Sequence, residues 1–198
     1  MAVRRRKPQR AQPRRKTGDL ETRLVEAALD LAARRGWRRT TLGEIAAEAG
    51  VGLAELRGEI RSRGAILALC VRHFDRVALA AKPDPKDSPK DRLFELLMRR
   101  FDALKAHRPA LRAMCRDSIG DPAALLAGKR LLASMGWMLE GAGISTAGLP
   151  GQARRKVLLL VYLSVLPVFA GDQTADLAKT MAALDRRLGL AAAFLGIG

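Results

Sequence analysis

The sequence predicts an all-α protein. Nearly half of its 198 residues are apolar (48%) and only 4% are aromatic. Ala, Leu and Arg prevail over β-branched types, a balance that favours helix over strand. Apolar residues recur at three- and four-residue spacing in stretch after stretch. Between these stretches stand helix starts and stops of familiar chemistry: Gly36, Thr41 with Glu44, Ser62, Ser88-Pro89 and Asp121-Pro122.

Residues 1–16 hold eight basic side chains (Arg4, Arg5, Arg6, Lys7, Arg10, Arg14, Arg15, Lys16), two prolines and no acid. With no apolar periodicity they are predicted to form a disordered basic arm. Such an arm meets nucleic-acid phosphates or serves as a solubilising, anion-seeking tail. A first helix is predicted from about Asp19 to Arg35, with Leu20, Leu24, Ala27, Ala28 and Leu31 on one face. Gly36 ends it, and Trp37 plugs the end of a small three-helix core. Thr41 and Glu44 form a capping box, each satisfying a backbone donor the second helix leaves free. Leu42, Ile45, Ala46 and Ala49 are its buried stripe, and Gly50 supplies a left-handed turn. A third helix of about Leu53 to Ile60 follows, and Ser62 caps a fourth that runs to about Ala81. The stretch "KPDPKDSPK" (82–90) reads as a linker. Helices are then expected near 89–106, 109–118, 122–142, 152–170 and 174–190, with "GISTAGLPGQ" (143–152) as a loop. The predicted division is a 1–16 arm, a 17–81 helix-turn-helix unit with its connecting fourth helix, and an 82–198 helical domain.

The net charge of +16 is unevenly placed. Residues 17–75 carry nine basic and nine acidic side chains, so the helix-turn-helix region is not itself a basic patch. Cys70 and Cys115 show no disulfide framework and are expected to be free, buried thiols of a cytosolic protein. No apolar stretch follows the basic N-terminus as a signal peptide requires. The longest apolar run, 157–170, is too short for a bilayer and contains Pro167. The expectation is a soluble, cytoplasmic protein with no membrane span. Cys70-x-x-His73 offers half a metal site, with no third or fourth ligand in the pattern, so no metal and no cofactor are expected. No nucleophile elbow, phosphate loop or paired-carboxylate arrangement is present, and enzymatic activity is not expected.

The stretch "GWRRTTLGEIAAEAGVGLAELRGEIRSRGAIL" resembles the N-terminal domain of the TetR family of bacterial transcription regulators. The resemblance rests on Gly36, Trp37, Thr40, Thr41, Ile45, Ala46, Ala49, Gly50, Val51, Leu56, Ser62 and Leu67 and covers about 50 residues in register. It implies a TetR-like fold, an N-terminal helix-turn-helix whose third helix enters the major groove of double-stranded DNA, and a C-terminal bundle that dimerises and often holds a ligand. The implied DNA-binding set is Thr40, Thr41, Leu53, Ala54, Glu55, Arg57, Arg61 and Arg63, with Arg4, Arg5, Arg6 and Lys7 of the arm. The departures fall on the recognition helix: Gly52 replaces a capping Ser, Arg57 a phosphate-reaching Tyr, and Gly58 sits mid-helix at a cost of about 1 kcal/mol relative to Ala. Arg57 suits a phosphate or a guanine edge, whereas Glu55 and Glu59 repel phosphate unless Glu55 accepts from a cytosine amino group.

A second resemblance lies in "DQTADLAKTMAALDRRLGL" (172–190), which is similar to the closing stretch of TetR-fold ubiquinone-biosynthesis accessory proteins through Asp172, Thr174, Asp176, Thr180, Leu184, Asp185, Arg186, Arg187 and Leu188. It implies a lipid- or isoprenoid-binding protein with a degenerate DNA-binding helix. Within the C-terminal domain, Phe94, Met98, Phe101, Met114, Met135 and Met138 are the expected lining of a pocket for a small apolar ligand. Leu158, Val161, Tyr162 and Val165 on one helix, with Met181, Leu184 and Leu188 on the next, present two apolar faces. These form a four-helix homodimer seam or cover the chain's own bundle. The leading expectation is a homodimeric, ligand-responsive DNA-binding repressor, and the lipid-binding accessory protein is the alternative.

Overall fold

A computed structural model describes residues 17–117 and 123–197; the predicted basic arm, with Arg4, Arg5, Arg6 and Lys7, lies outside the described residues. The helices are α1 (Thr17–Arg35), α2 (Leu42–Glu48), α3 (Leu53–Glu59), α4 (Arg63–Ala78), α5 (Pro89–Leu104), α6 (Arg108–Asp117), α7 (Ala123–Gly141), α8 (Gly148–Gly171) and α9 (Ala178–Leu195). Short 3-10 turns join α1 to α2 and α5 to α6, and no strand occurs among the described residues.

The predicted caps at Thr41, Ser62 and Ser88 hold, and the start predicted at Asp121-Pro122 lies outside the described residues. The Thr41 hydroxyl accepts from the Glu44 amide at 3.2 Å, and the Glu44 carboxylate accepts from the Thr41 amide at 2.9 Å. Ser62 and Ser88 accept from the amides of Ala65 and Asp91 to start α4 and α5, with Pro89 at the first helical position. Trp37 is fully buried, as its place beyond α1 predicts, and the Arg63 guanidinium lies over its ring at 5.4 Å. Helices α1 to α3 close around Leu24, Trp37, Ile45 and Leu56. Helix α4 leaves this unit and packs against α1, α5 and α7, while α8 and α9 pair at the far end. The core is continuous from Leu20 to Ile197.

The bounds of two helices differ from those predicted. Helix α8 starts at Gly148, inside the stretch expected to be loop, because Pro150 falls in the first turn, where a missing N–H has no partner to lose. Helix α9 starts only at Ala178 and continues to Leu195, stopped by left-handed Gly196 (φ 71). Its start is held by Asp172 instead of a residue next to the helix. That buried carboxylate accepts from the amides of Thr174 (3.0 Å) and Thr180 (2.8 Å) and from their hydroxyls (2.6 and 2.7 Å). Asp172, Thr174 and Thr180, which carry the second resemblance, thus form the entry to α9. Leu184 and Leu188 face the core, and Asp185 pairs with Lys90 at 2.8 Å.

Cys70 is buried, and its thiol is pushed up to about 12 by desolvation. Cys115 is exposed, contrary to expectation, because α6 buries the side that carries Ala110, Ala113 and Met114. Among the described residues no three His, Cys, Asp or Glu side chains gather as a metal site, and no helix is long and apolar enough to cross a membrane.

Candidate nucleic-acid interface and ligand cavity

Helix α3 is anchored from one side only. Leu56 and Ile60 are buried, and the turn before it is fixed by Gly50 (φ 63) and by the Val51 amide donating to Ala46 O at 2.8 Å. With about 100° per residue, Ala54 and Gly58 come out opposite Leu56, with Arg57 on one flank and Glu55 on the other. Nothing stands within 4 Å of the position a Gly58 Cβ would occupy. The outermost line of the helix is therefore small and open, which lets a groove wall approach the backbone. Arg57 and Arg61 share a surface hollow of about 670 Å³ with Leu42, Leu53, Leu56 and Ile60. Neither they nor Glu55 have an ion pair among the described residues. Positive charge thus gathers on one side of α3. The side chain of Glu59 lies outside the description.

The remaining expected contacts divide. Leu53 is 63% exposed, and Ala54 and Thr41 are also exposed. Thr40 is fully buried, and its hydroxyl donates to Gly36 O at 3.0 Å, so its side chain serves the domain and has no reach to DNA. Arg63 donates to Arg38 O at 3.0 Å while stacked on Trp37, which ties it to the turn before α2.

The second concavity lies in the bundle: an apolar cavity of about 310 Å³, at the small end of ligand-site volumes. Its wall takes Leu29 from α1, Cys70 and Phe74 from α4, Leu104 from α5, Met114 and Cys115 from α6, Leu131 from α7, and Tyr162 and Leu166 from α8. Of the expected lining only Met114 belongs to it. Met135 and Met138 are fully buried in the core cluster. Phe101 is buried in a ring cluster with Tyr162 (5.1 Å) and Phe169 (5.0 Å), and Phe94 and Met98 pack on the core away from the cavity. Methionines at helical spacing mark core as readily as pocket.

The cavity wall also contains a polar group that sequence reasoning missed. Arg100 is 2% exposed. Its Nη1 donates to the Asp75 carboxylate and to Ser134 Oγ, and Ser134 Oγ donates to Asp75 Oδ1 at 2.6 Å. The guanidinium lies over the Tyr162 ring at 5.0 Å, and its Nε–H is buried with no partner. Burial pushes the Asp75 carboxyl up, while Arg100 and then Ser134 pull it back. The available signal was positional. Arg100 stands in the apolar stripe Leu93, Leu96, Leu97, Phe101, Leu104, and Asp75 in the stripe Leu67, Cys70, Phe74, Ala78. Opposite charges on the core faces of two adjacent helices are expected to pair.

The expected seam residues are mostly interior. Leu158, Tyr162, Val165, Leu184 and Leu188 are at most 3% exposed and Val161 is 7% exposed, because α8 and α9 use these faces against each other and the bundle. Only Met181, at 41%, is exposed. The opposite face of α8 carries exposed Leu149, Leu160, Leu163 and Pro167, which share one stripe, and α9 exposes Leu190 and Phe194 one turn apart.

Comparison with known proteins accords with this architecture. Residues 24–55 match the bacterial regulatory proteins of the tetR family. The chain is similar to a TetR transcriptional regulator from Nitrosomonas europaea ATCC 19718 (23% identity, TM-score 0.69, covering 87% of this chain and 98% of that one). It is also similar to a TetR transcriptional regulator from Rhodococcus sp. RHA1 (23% identity, TM-score 0.61, 88% and 98%). A tetR-family transcriptional regulator from Streptomyces coelicolor shares the fold at 17% identity (TM-score 0.57, 93% and 85%). No curated protein matches the sequence. An exposed third helix on a Trp37-plugged core, with an all-α bundle behind it, is thus the TetR fold, and within it residues 24–55 are similar to the bacterial regulatory proteins of the tetR family.

Proposed function

We propose that the chain is a cytoplasmic, homodimeric transcriptional regulator that holds double-stranded DNA through α3 and acts as a repressor released by a small apolar ligand. The observation that carries this reading is the outer face of α3, where Ala54 and Gly58 allow close approach and Arg57 and Arg61 offer charge beside them. Ligand response is supported by the membership of the cavity wall. Leu29 of α1, Cys70 of α4 and Met114 of α6 meet there, and the Asp117 carboxylate at the end of α6 accepts from the Arg38 amide at 3.0 Å. A molecule wedged between these helices displaces the turn that precedes α2. The division is a 17–81 unit and an 82–198 unit that share the wall of α4, and a basic arm at 1–16 adds phosphate contacts. The dimer seam is the exposed stripe of α8 with Leu190 and Phe194 of α9.

Selection from a random duplex pool with the full chain tests DNA reading. The expected result is an enriched palindrome with half-sites about one helical turn apart. On that site Arg57→Ala is expected to cost roughly 1–3 kcal/mol if the guanidinium reads a guanine edge. Glu55→Gln is expected to tighten binding to every sequence, or, if Glu55 reads a cytosine, to relax one base pair only. An unenriched pool, with wild type and both variants binding alike and without sequence preference, overturns the proposal and favours a TetR-fold lipid or isoprenoid binder.

A further inference from the structure

We infer that the bundle cavity selects neutral, largely apolar molecules carrying one hydrogen-bond-accepting oxygen of ketone or ester type, and that Arg100 Nε is the donor that reads it. The inference rests on the proposal that this cavity is the ligand site, and it names the ligand's chemistry.

Among the described residues Arg100 is the one charged side chain in the cavity wall, and the surroundings are otherwise aliphatic, aromatic or thiol. Guanidinium has donors only. Its Nη1 is committed to Asp75 and Ser134, while the Nε–H is buried and unpaired, a state that native interiors rarely tolerate. An incoming oxygen acceptor satisfies it. The charge of that acceptor is decided by what Arg100 already holds. Paired with Asp75, it leaves the wall electrically neutral. Burial pushes the Cys70 thiol and the Tyr162 hydroxyl up and so keeps them protonated, and the apolar wall beside the exposed Cys115 thiol shifts it in the same direction. A carboxylate entering this space would share Arg100 with Asp75 and leave a surplus negative charge among apolar side chains, since the other cation acting on Asp75, Arg130, is not part of the cavity wall. A hydrocarbon would enter without charge cost and leave the Nε–H unpaired. A carbonyl avoids both penalties.

The test uses the full chain without DNA and three probes of one chain length: 2-nonanone, nonane and nonanoate. Thermal-shift titration is expected to show 2-nonanone binding at least tenfold more tightly than either of the others. The infrared carbonyl stretch of bound, carbon-13-labelled ketone is expected at lower wavenumber than in hexane. Arg100→Met combined with Asp75→Leu removes both charges together, so that neither is left buried alone. It is expected to bind ketone and alkane equally, with no shift of the stretch. Arg100→Lys, which keeps a cation beside Asp75 but lacks the Nε–H, is expected to lose the ketone preference as well. Equal binding of nonane and ketone by the wild type, tighter binding of nonanoate, a shifted stretch that survives in the variants, or no binding of any probe overturns the inference. An enriched palindrome alongside any of these results leaves the regulator reading standing and removes only the ligand class.

Discussion

Replacing Asp172 with Ala is expected to lower the unfolding free energy at neutral pH by roughly 3–5 kcal/mol, because four hydrogen bonds to a buried carboxylate vanish together and do not add fully. The Asp172 carboxylate accepts from both the amides and the hydroxyls of Thr174 and Thr180, and is not exposed. Burial alone would raise its pKa, but these donors outweigh burial and hold it well below the ordinary carboxylate value. The sign follows from that depression. The stabilisation is fully present above the unfolded-state value of about 3.9 and is lost as pH falls from there through the folded value. Urea denaturation of wild type and Asp172→Asn isolates it, since the other depressed carboxylates, Glu44, Asp117 and Glu140, are common to both. The gap between the two curves is expected to be constant from pH 7 to 5 and to narrow below pH about 4. A gap that is independent of pH would falsify the assignment of this stability to the charged form.

Asp172 also shows why part of the chain was legible and part was not. Caps built from adjacent residues can be read directly, as Thr41 with Glu44 and Ser88 with Pro89 were, because partner and position are fixed by three-residue geometry. The entry to α9 spans Asp172 to Thr180 and includes Leu177 at φ 59, so its shape depends on how the loop packs and not on a local rule. The helix-turn-helix was legible for the same reason that the capping box was: Gly36, Trp37, Gly50 and Val51 act over a few residues each.

The cavity was not legible, because its wall draws on residues from Leu29 to Leu166 on six helices. Composition pointed to methionines, and Met135 and Met138 turned out to be filling. Arg100 and Asp75 were hidden in plain pattern: each breaks an apolar stripe, and each looks like an error until the other is placed beside it. The choice between a dimer seam and the chain's own bundle was open for a different physical reason. Periodicity tells which faces of α8 are apolar, and α8 is apolar on both: Leu158, Tyr162 and Val165 inward, Leu160, Leu163 and Leu149 outward. Nothing in a period decides which face the chain itself will cover.

That distinction yields the expected behaviour of the assembly. Leu160→Asp combined with Phe194→Asp is expected to convert the proposed dimer to a folded monomer. Both side chains are largely exposed in the single chain, at 67% and 74%, so their replacement leaves the core intact. In an interface, however, each Asp would bury an unpaired charge. Sedimentation equilibrium is expected to give the monomer mass, with an unfolding curve that no longer depends on protein concentration. The effect on operator binding is larger still. A dimer engages its second half-site at the effective concentration set by the first, an advantage of about 10²–10⁴, and the monomer forfeits it while each α3 remains intact. Leu184→Asp separates the two faces, because Leu184 is fully buried within the bundle and its replacement is expected to unfold the chain instead of dissociating it. Dimers that persist in the Leu160 and Phe194 double variant would move the seam elsewhere on the surface. A soluble, folded Leu184→Asp monomer would return the seam to the inner face of α9.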